Sequence, residues 1–269
     1  MEGLDYSDEQ IEGLIAAIFS QKVTIYNLPE GLYRATADYL KKGLYKGFGK
    51  TLAEVKFGGP DYALLKQLRE NIYIFSAAKT FHQVRDINEA IIKDDRVVPF
   101  NEFKKEADKI FKQYNDNWLK SEYDTAIAQA RNAESWQTFE REKEQFQMLR
   151  YNAVIDELTC PICSPLDKIT LPVDHPFWKK FMPQNHFSCR CIVEQYKKEE
   201  VRQSSPKKIA SVTESVEPKM QPAFVMNPGL DKVVFKERGP GNHPYFDIEP
   251  RFMGMAHRNF GLTIPNNDE

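Results

Sequence analysis

Apolar positions recur at helical spacing through the first half of the chain. Ile11, Leu14, Ile15 and Ile18 form a stripe three and four residues apart, as one face of a helix requires. Ser7 to Gln10, just ahead of them, has the order of a capping box. Leu32, Tyr39, Leu40 and Leu44 predict a second helix. It starts near Asn27 to Glu30, takes Pro29 in its first turn and ends at Gly47-Phe48-Gly49. Gly58-Gly59-Pro60 punctuates the chain. Leu64, Leu65, Leu68, Ile72 and Phe75 then share a face of a long helix, or a pair of helices, reaching about Ile92. Asp94 to Arg96 reads as a loop. Asn101 is placed to cap the next helix, which carries Phe103, Ala107, Ile110, Phe111, Tyr114 and Trp118 and runs to about Ala130. The charged run Glu140 to Glu144 reads as a solvated face.

The pattern changes after Gln147. Met148 to Ile155 is a short apolar run rich in β-formers and reads as a strand or a strand-to-turn passage, and Cys191 to Tyr196 reads as a closing strand. Pro172 and Pro176 forbid a regular helix between them. Residues 197–222 are rich in Lys, Glu, Ser, Val and Pro without a sustained apolar face, which reads as a linker or an arm that orders on binding. Ala223 to Gly229 and Val233 to Phe235 read as short extended pieces, and Gly239 to Phe246 as a loop with aromatic anchors.

All four cysteines of the protein fall between Cys160 and Cys191, with His186 among them. Cys160 and Cys163, two residues apart, can present both sulfurs to one ion from a tight turn, and His186 and Cys189 can do the same from the other side. Zinc suits such ligands and takes four in a tetrahedron when its role is structural. Five candidates thus compete for four places: Cys160, Cys163, His186, Cys189 and Cys191. In an extended segment Cys189 and Cys191 point the same way with Arg190 opposite, leaving His186 spare; in a turn, His186 pairs with Cys189. Inert buried thiols are the plainer alternative. Disulfides fit poorly with a chain that carries no mark of secretion. The predicted fold class is therefore α+β: a mainly helical part over 1–145, a small loop-rich zinc-stabilised module over 146–198, and a linker with an extended tail over 199–269.

Charge is nearly balanced, with 37 Lys and Arg against 39 Asp and Glu, so no global field draws the protein onto nucleic acid. The acidic N-terminus is unlike a signal peptide, and no apolar run nears the roughly 20 residues that span a bilayer. The chain reads as soluble and intracellular. Phosphate loops, dinucleotide-binding glycine patterns, nucleophile elbows and His-Glu-x-x-His helices are all missing from the sequence. A zinc deaminase needs a His-x-Glu segment and a proline ahead of its Cys-x-x-Cys, whereas here Pro161 lies inside the pair. Lys42, Lys46 and Lys50, and Lys104, Lys105 and Lys112, form small basic stripes interleaved with acidic residues, which read first as solvated helix faces.

Tyr151 and Asp156, Leu166-Asp167-Lys168, Asp174-His175-Pro176-Phe177-Trp178, Pro183 to His186 and Cys189-Arg190-Cys191 follow one another in an order that resembles the phage Mu protein F-like minor head, or head morphogenesis, proteins. Weaker likeness extends to Asn27 through Gly49, Tyr73 through Thr80, Trp118 through Tyr123, Met226 through Gly229 and His243 through Phe246. The chain departs from the family pattern at Cys160 and Cys163, where many members have Arg and His, at Lys168 in place of glycine, and at Gln184 in place of a second proline.

This resemblance implies a virion protein of the head interior and portal vicinity, present in the bacterial host cytoplasm during assembly. It implies portal and capsid proteins as partners, with phage DNA as a further, non-specific one. No enzymatic activity, no small-molecule substrate and no membrane segment are expected. Trp118, Tyr123 and Trp136 are candidate interface residues on this reading. The alternative is a zinc-dependent or treble-clef-like nuclease. Arg190, Lys179 and Lys180 would then meet phosphates, and His175 or His186 would activate water. Four thiolates around one ion, however, leave no open position for catalysis.

Overall fold

The computed structural model describes residues 3–237 and 241–266. The fold is α+β. Its long helices are α1 (Asp8–Phe19), α2 (Glu30–Phe48), α3 (Pro60–Glu89), α4 (Phe100–Lys112) and α5 (Leu119–Glu142), and a short helix, α6 (Trp178–Phe181), follows later in the chain. A hairpin of β1 (Ile92–Lys93) and β2 (Arg96–Val97) joins α3 to α4. The strands β3 (Met148–Asn152), β4 (Thr170–Pro172) and β5 (Ile192–Tyr196) make a small antiparallel sheet in the order β4-β3-β5. The chain forms two compact units. The first comprises Met1–Gly43, Arg69–Asp124 and Pro244–Glu269, and the second Leu44–Leu68 and Thr125–His243.

In the first unit Ser7 caps α1 by accepting the Gln10 N–H, and the Gln10 side chain returns the bond to the Ser7 N–H. Leu14, Ile15 and Ile18 are buried with Ile87, Phe103, Ala107 and Phe111. The loop expected at Asp94 to Arg96 is a two-residue hairpin turn. Asp94 and Asp95 both have positive φ, at 50° and 58°, the backbone that a type I′ turn needs. Asn101 does not cap α4. Pro99 occupies the N-cap position without a side-chain bond, and the helix begins at Phe100. The helix read as continuous through Trp118 instead widens into a π-helical turn over Gln113–Trp118.

The segment of α3 from Arg69 to Val84 is buried on nearly every side, not along one stripe. Its polar side chains are therefore inside and need partners. The Lys79 ammonium donates to Glu122 (2.9 Å), to the Tyr114 carbonyl (2.8 Å) and to the Tyr245 hydroxyl (3.4 Å). Tyr114 is the residue whose carbonyl accepts from the Leu119 N–H across the π turn, so Lys79 bonds to the main chain where the helix widens. His82 Nε2 meets the Tyr245 carbonyl at 3.1 Å. Gly239 and Pro240 of the predicted aromatic loop lie outside the described residues; its anchor Tyr245 is buried.

In the second unit the three strands, α5 and the tail share one core. Trp136, Phe139, Leu149, Tyr151, Leu166, Leu171, Phe177, Trp178, Val212 and Val216 are among its buried members. Residues 206–216, read above as linker, are a helix, α7 (Pro206–Val216). Ser205 caps it by accepting the Lys208 N–H, Pro206 takes its first turn, and Ile209, Val212 and Val216 pack into the core. The preceding segment is pinned to β4: Ser204 donates its N–H to the Thr170 carbonyl, and its hydroxyl accepts the Thr170 N–H. Among the described residues no helix is long and apolar enough to cross a membrane.

Candidate metal centre

The site is assembled by the segments that enter and leave the small sheet. A turn over Cys160–Cys163 follows β3, and a second turn over His186–Cys189 precedes β5. The Cys163 N–H points at Cys160 Sγ at 3.3 Å. The Cys189 N–H bonds back to the His186 carbonyl at 3.2 Å, with Ser188 left-handed at φ 57°. These turns bring the five sequence candidates into two groups whose ligand atoms lie within 4.8 Å of one another: Cys160, Cys163 and His186, and Cys163, Cys189 and Cys191. Cys163 belongs to both. Cys189 and Cys191 share a group while Arg190 turns away to fork onto Asp156, with both bonds at 2.8 Å.

The Cys163 and Cys189 sulfurs lie 3.7 Å apart. Hydrogen bonds from Cys163, and then Cys191, hold the Cys189 thiol far below its ordinary value, at about 3. The same contact with Cys189, reinforced by burial, pushes Cys163 well up. A cation can take the place of the proton that these crowded sulfurs share. His186 Nδ1 lies 2.7 Å from the Phe187 carbonyl. A carbonyl only accepts, so Nδ1 is the donor in that contact and Nε2 is the ring nitrogen left for a ligand role. Thiolate and imidazole donors at this crowding fit a zinc-type ion.

Tyr151 on β3 is fully buried beside the cluster. Its hydroxyl donates to Cys163 Sγ at 3.4 Å and accepts from Asn185 Nδ2 at 2.9 Å. The sequence marked Tyr151 as a motif residue but gave it no role, and nothing singled out Asn185. Asp156 is held below the usual carboxylate range by Arg190, so the motif's Tyr and Asp both reach the cysteine segment. Phe177 and Trp178 pack in the same core cluster as Tyr151, with Ile162 and Cys191 against it. Trp178 donates Nε1–H to the Pro172 carbonyl at 3.0 Å. Asn227 of the tail caps a short helix, α8 (Pro228–Asp231), and donates Nδ2–H to the Trp178 carbonyl at 3.1 Å.

The residues offered for nuclease chemistry are placed otherwise. His175 lies outside both groups, and its Nδ1 accepts the Phe177 N–H at 3.2 Å. Arg190 is engaged by Asp156, and Lys180 by Glu217. Lys104, in one basic stripe, pairs with Glu12 and Asp108. Of the candidate interface aromatics, Trp118 is exposed, Tyr123 is half-buried against Tyr39, and Trp136 is in the core.

The family model described as Phage Mu protein F like protein matches residues 82–194. No curated protein and no solved structure matches the chain. The weaker motif likenesses at Asn27 to Gly49, Tyr73 to Thr80, Met226 to Gly229 and His243 to Phe246 fall outside the matched stretch. The stretch contains Tyr151, Asp156, all four cysteines and His186. The recognition made from those motifs therefore stands, and the chain carries a Phage Mu protein F like segment over residues 82–194.

Proposed function

We propose that this chain is a bacteriophage minor head protein that works in head morphogenesis. It associates with the portal and the capsid interior during assembly and DNA packaging or ejection, and its cysteine module is fastened by one structural zinc ion. The observation that carries this reading is the family match over 82–194, and that family suggests a head morphogenesis protein of the virion. The cysteine and histidine groups inside the matched stretch support the metal. Zinc would take four of Cys160, Cys163, His186, Cys189 and Cys191. Its chemistry there is that of a cross-link, tying the turn after β3 to the turn before β5.

The reading is non-enzymatic and names capsid-related partners. Particles purified from a phage encoding this chain should contain it at low copy, and the purified chain should bind portal. A chain missing from particles and unable to bind portal would contradict the proposal.

A further inference from the structure

Cys163 is the one sulfur common to both ligand groups, so any single-ion set that keeps either group uses it. It is also 2% exposed. Water cannot reach such a sulfur freely, so the groups around it determine how its charge is stabilised. Two neighbours supply hydrogen bonds in series. Asn185, fully buried, donates Nδ2–H to the Tyr151 oxygen at 2.9 Å. That leaves the Tyr151 hydroxyl proton free to point at Cys163 Sγ, 3.4 Å away. Both donors run toward the sulfur. A neutral thiol has a proton of its own to place and gains little from a second one aimed at it. A metal-bound thiolate has only lone pairs to offer, and the relay is matched to that state.

We propose that Tyr151 and Asn185 are positioning residues of the metal centre: a buried Asn185→Tyr151→Cys163 donor relay that orients Cys163 and stabilises it as a metal-bound thiolate. This rests on the metal-site reading above. It assigns a task to the motif tyrosine, and it makes Asn185 part of the centre although it binds no metal. The relay is built to fit the site: Tyr151 lies on β3, at the centre of the sheet, paired with Val193 of β5. The strand therefore fixes the phenol against the sulfur, and Asn185 lies in the segment that leads into His186.

The test uses the full chain, metal-free and then titrated with cobalt(II) or zinc(II) in competition with a chelator. Tyr151→Phe keeps the ring and deletes the donor. It should weaken zinc affinity by about 10–100-fold, the range for lost outer-sphere partners, beyond the fall in metal-free stability that stranding the buried Asn185 Nδ2–H brings. In the cobalt form the thiolate-to-metal charge-transfer band should move to lower energy, because a sulfur that loses a hydrogen bond gives up its electrons more readily. A purely packing role would leave that band in place. Asn185→Ala should give the same changes in smaller measure, and it replaces Tyr151→Phe if that variant does not fold.

Wild-type protein that binds metal, with an unshifted band and affinity within about twofold in these variants, would overturn the relay alone. Wild-type protein that takes up neither ion would overturn the metal-site reading beneath it.

Discussion

Lys79 and Glu122 show what burial demands of single residues in the helical unit. Both are almost wholly buried, 2.9 Å apart. Desolvation pushes the lysine down and the carboxyl up, and their mutual attraction opposes both shifts. Replacing one partner strands the other, which costs about 3–5 kcal/mol. Lys79→Met is therefore expected to lower the urea midpoint sharply, and Lys79→Met combined with Glu122→Gln to recover part of the loss. A double variant no more stable than the single one would show that the pair is not coupled.

His82 adds a pH dependence. Burial, and then the Arg85 charge, hold its folded value below the ordinary 6.5. The unfolded chain then binds the proton more tightly, so this contribution to stability is present above about pH 6.5 and is lost as pH falls through the lowered folded value. The thermal midpoint of wild type should drop on going from pH 7 to pH 5 by more than that of His82→Gln. Parallel curves would remove His82 from the account. In the sequence His82 has no metal-ligating residue beside it. Its bond to Tyr245, 163 residues along the chain, left no local pattern to read.

At the scale of elements, apolar periodicity placed α1, α2 and the start of α3, where buried stripes repeat in the chain. It did not reveal that α3 is buried all round, since Arg69, Asn71, Lys79 and Gln83 look like a solvated face until their partners are known. It also missed α7. Ser205-Pro206 is a helix-start signal, and Ile209, Val212 and Val216 sit at helical spacing, but three apolar residues in a charged run look like a linker when composition is weighed first. The π turn has no sequence signature of its own. It is accompanied by a lysine from another helix bonding to its carbonyl.

Glycine makes one element-level prediction sharp. A Cβ at Gly47 of α2 would overlap the Ile127 main chain of α5, and backbone cannot swing aside as a side-chain tip can. Gly47→Ala should destabilise by about 1–3 kcal/mol despite alanine's better helix propensity. Gly13, whose Cβ position is open, is the control, and alanine there should be neutral or stabilising. Equal effects at both positions would argue against close packing of α2 on α5 at Gly47.

For the whole molecule, the cysteine cluster was legible because metal-ligand spacing is local within each half of the site. What spacing left open was how the halves meet. The two turns converge on Cys163, Arg190 turns outward to Asp156, and His175 is used in its own loop. These outcomes depend on where β3 and β5 pair, which no short motif encodes. The family segment over 82–194 sets the functional reading, and the proposed metal site gives that reading a physical handle. The most direct test is the metal content of the purified full-length chain by mass spectrometry, together with thiol titration before and after chelation. The account expects about one zinc per chain, with the cysteines protected until the chelator removes it. No bound metal, with all four cysteines titrating freely from the start, would contradict it.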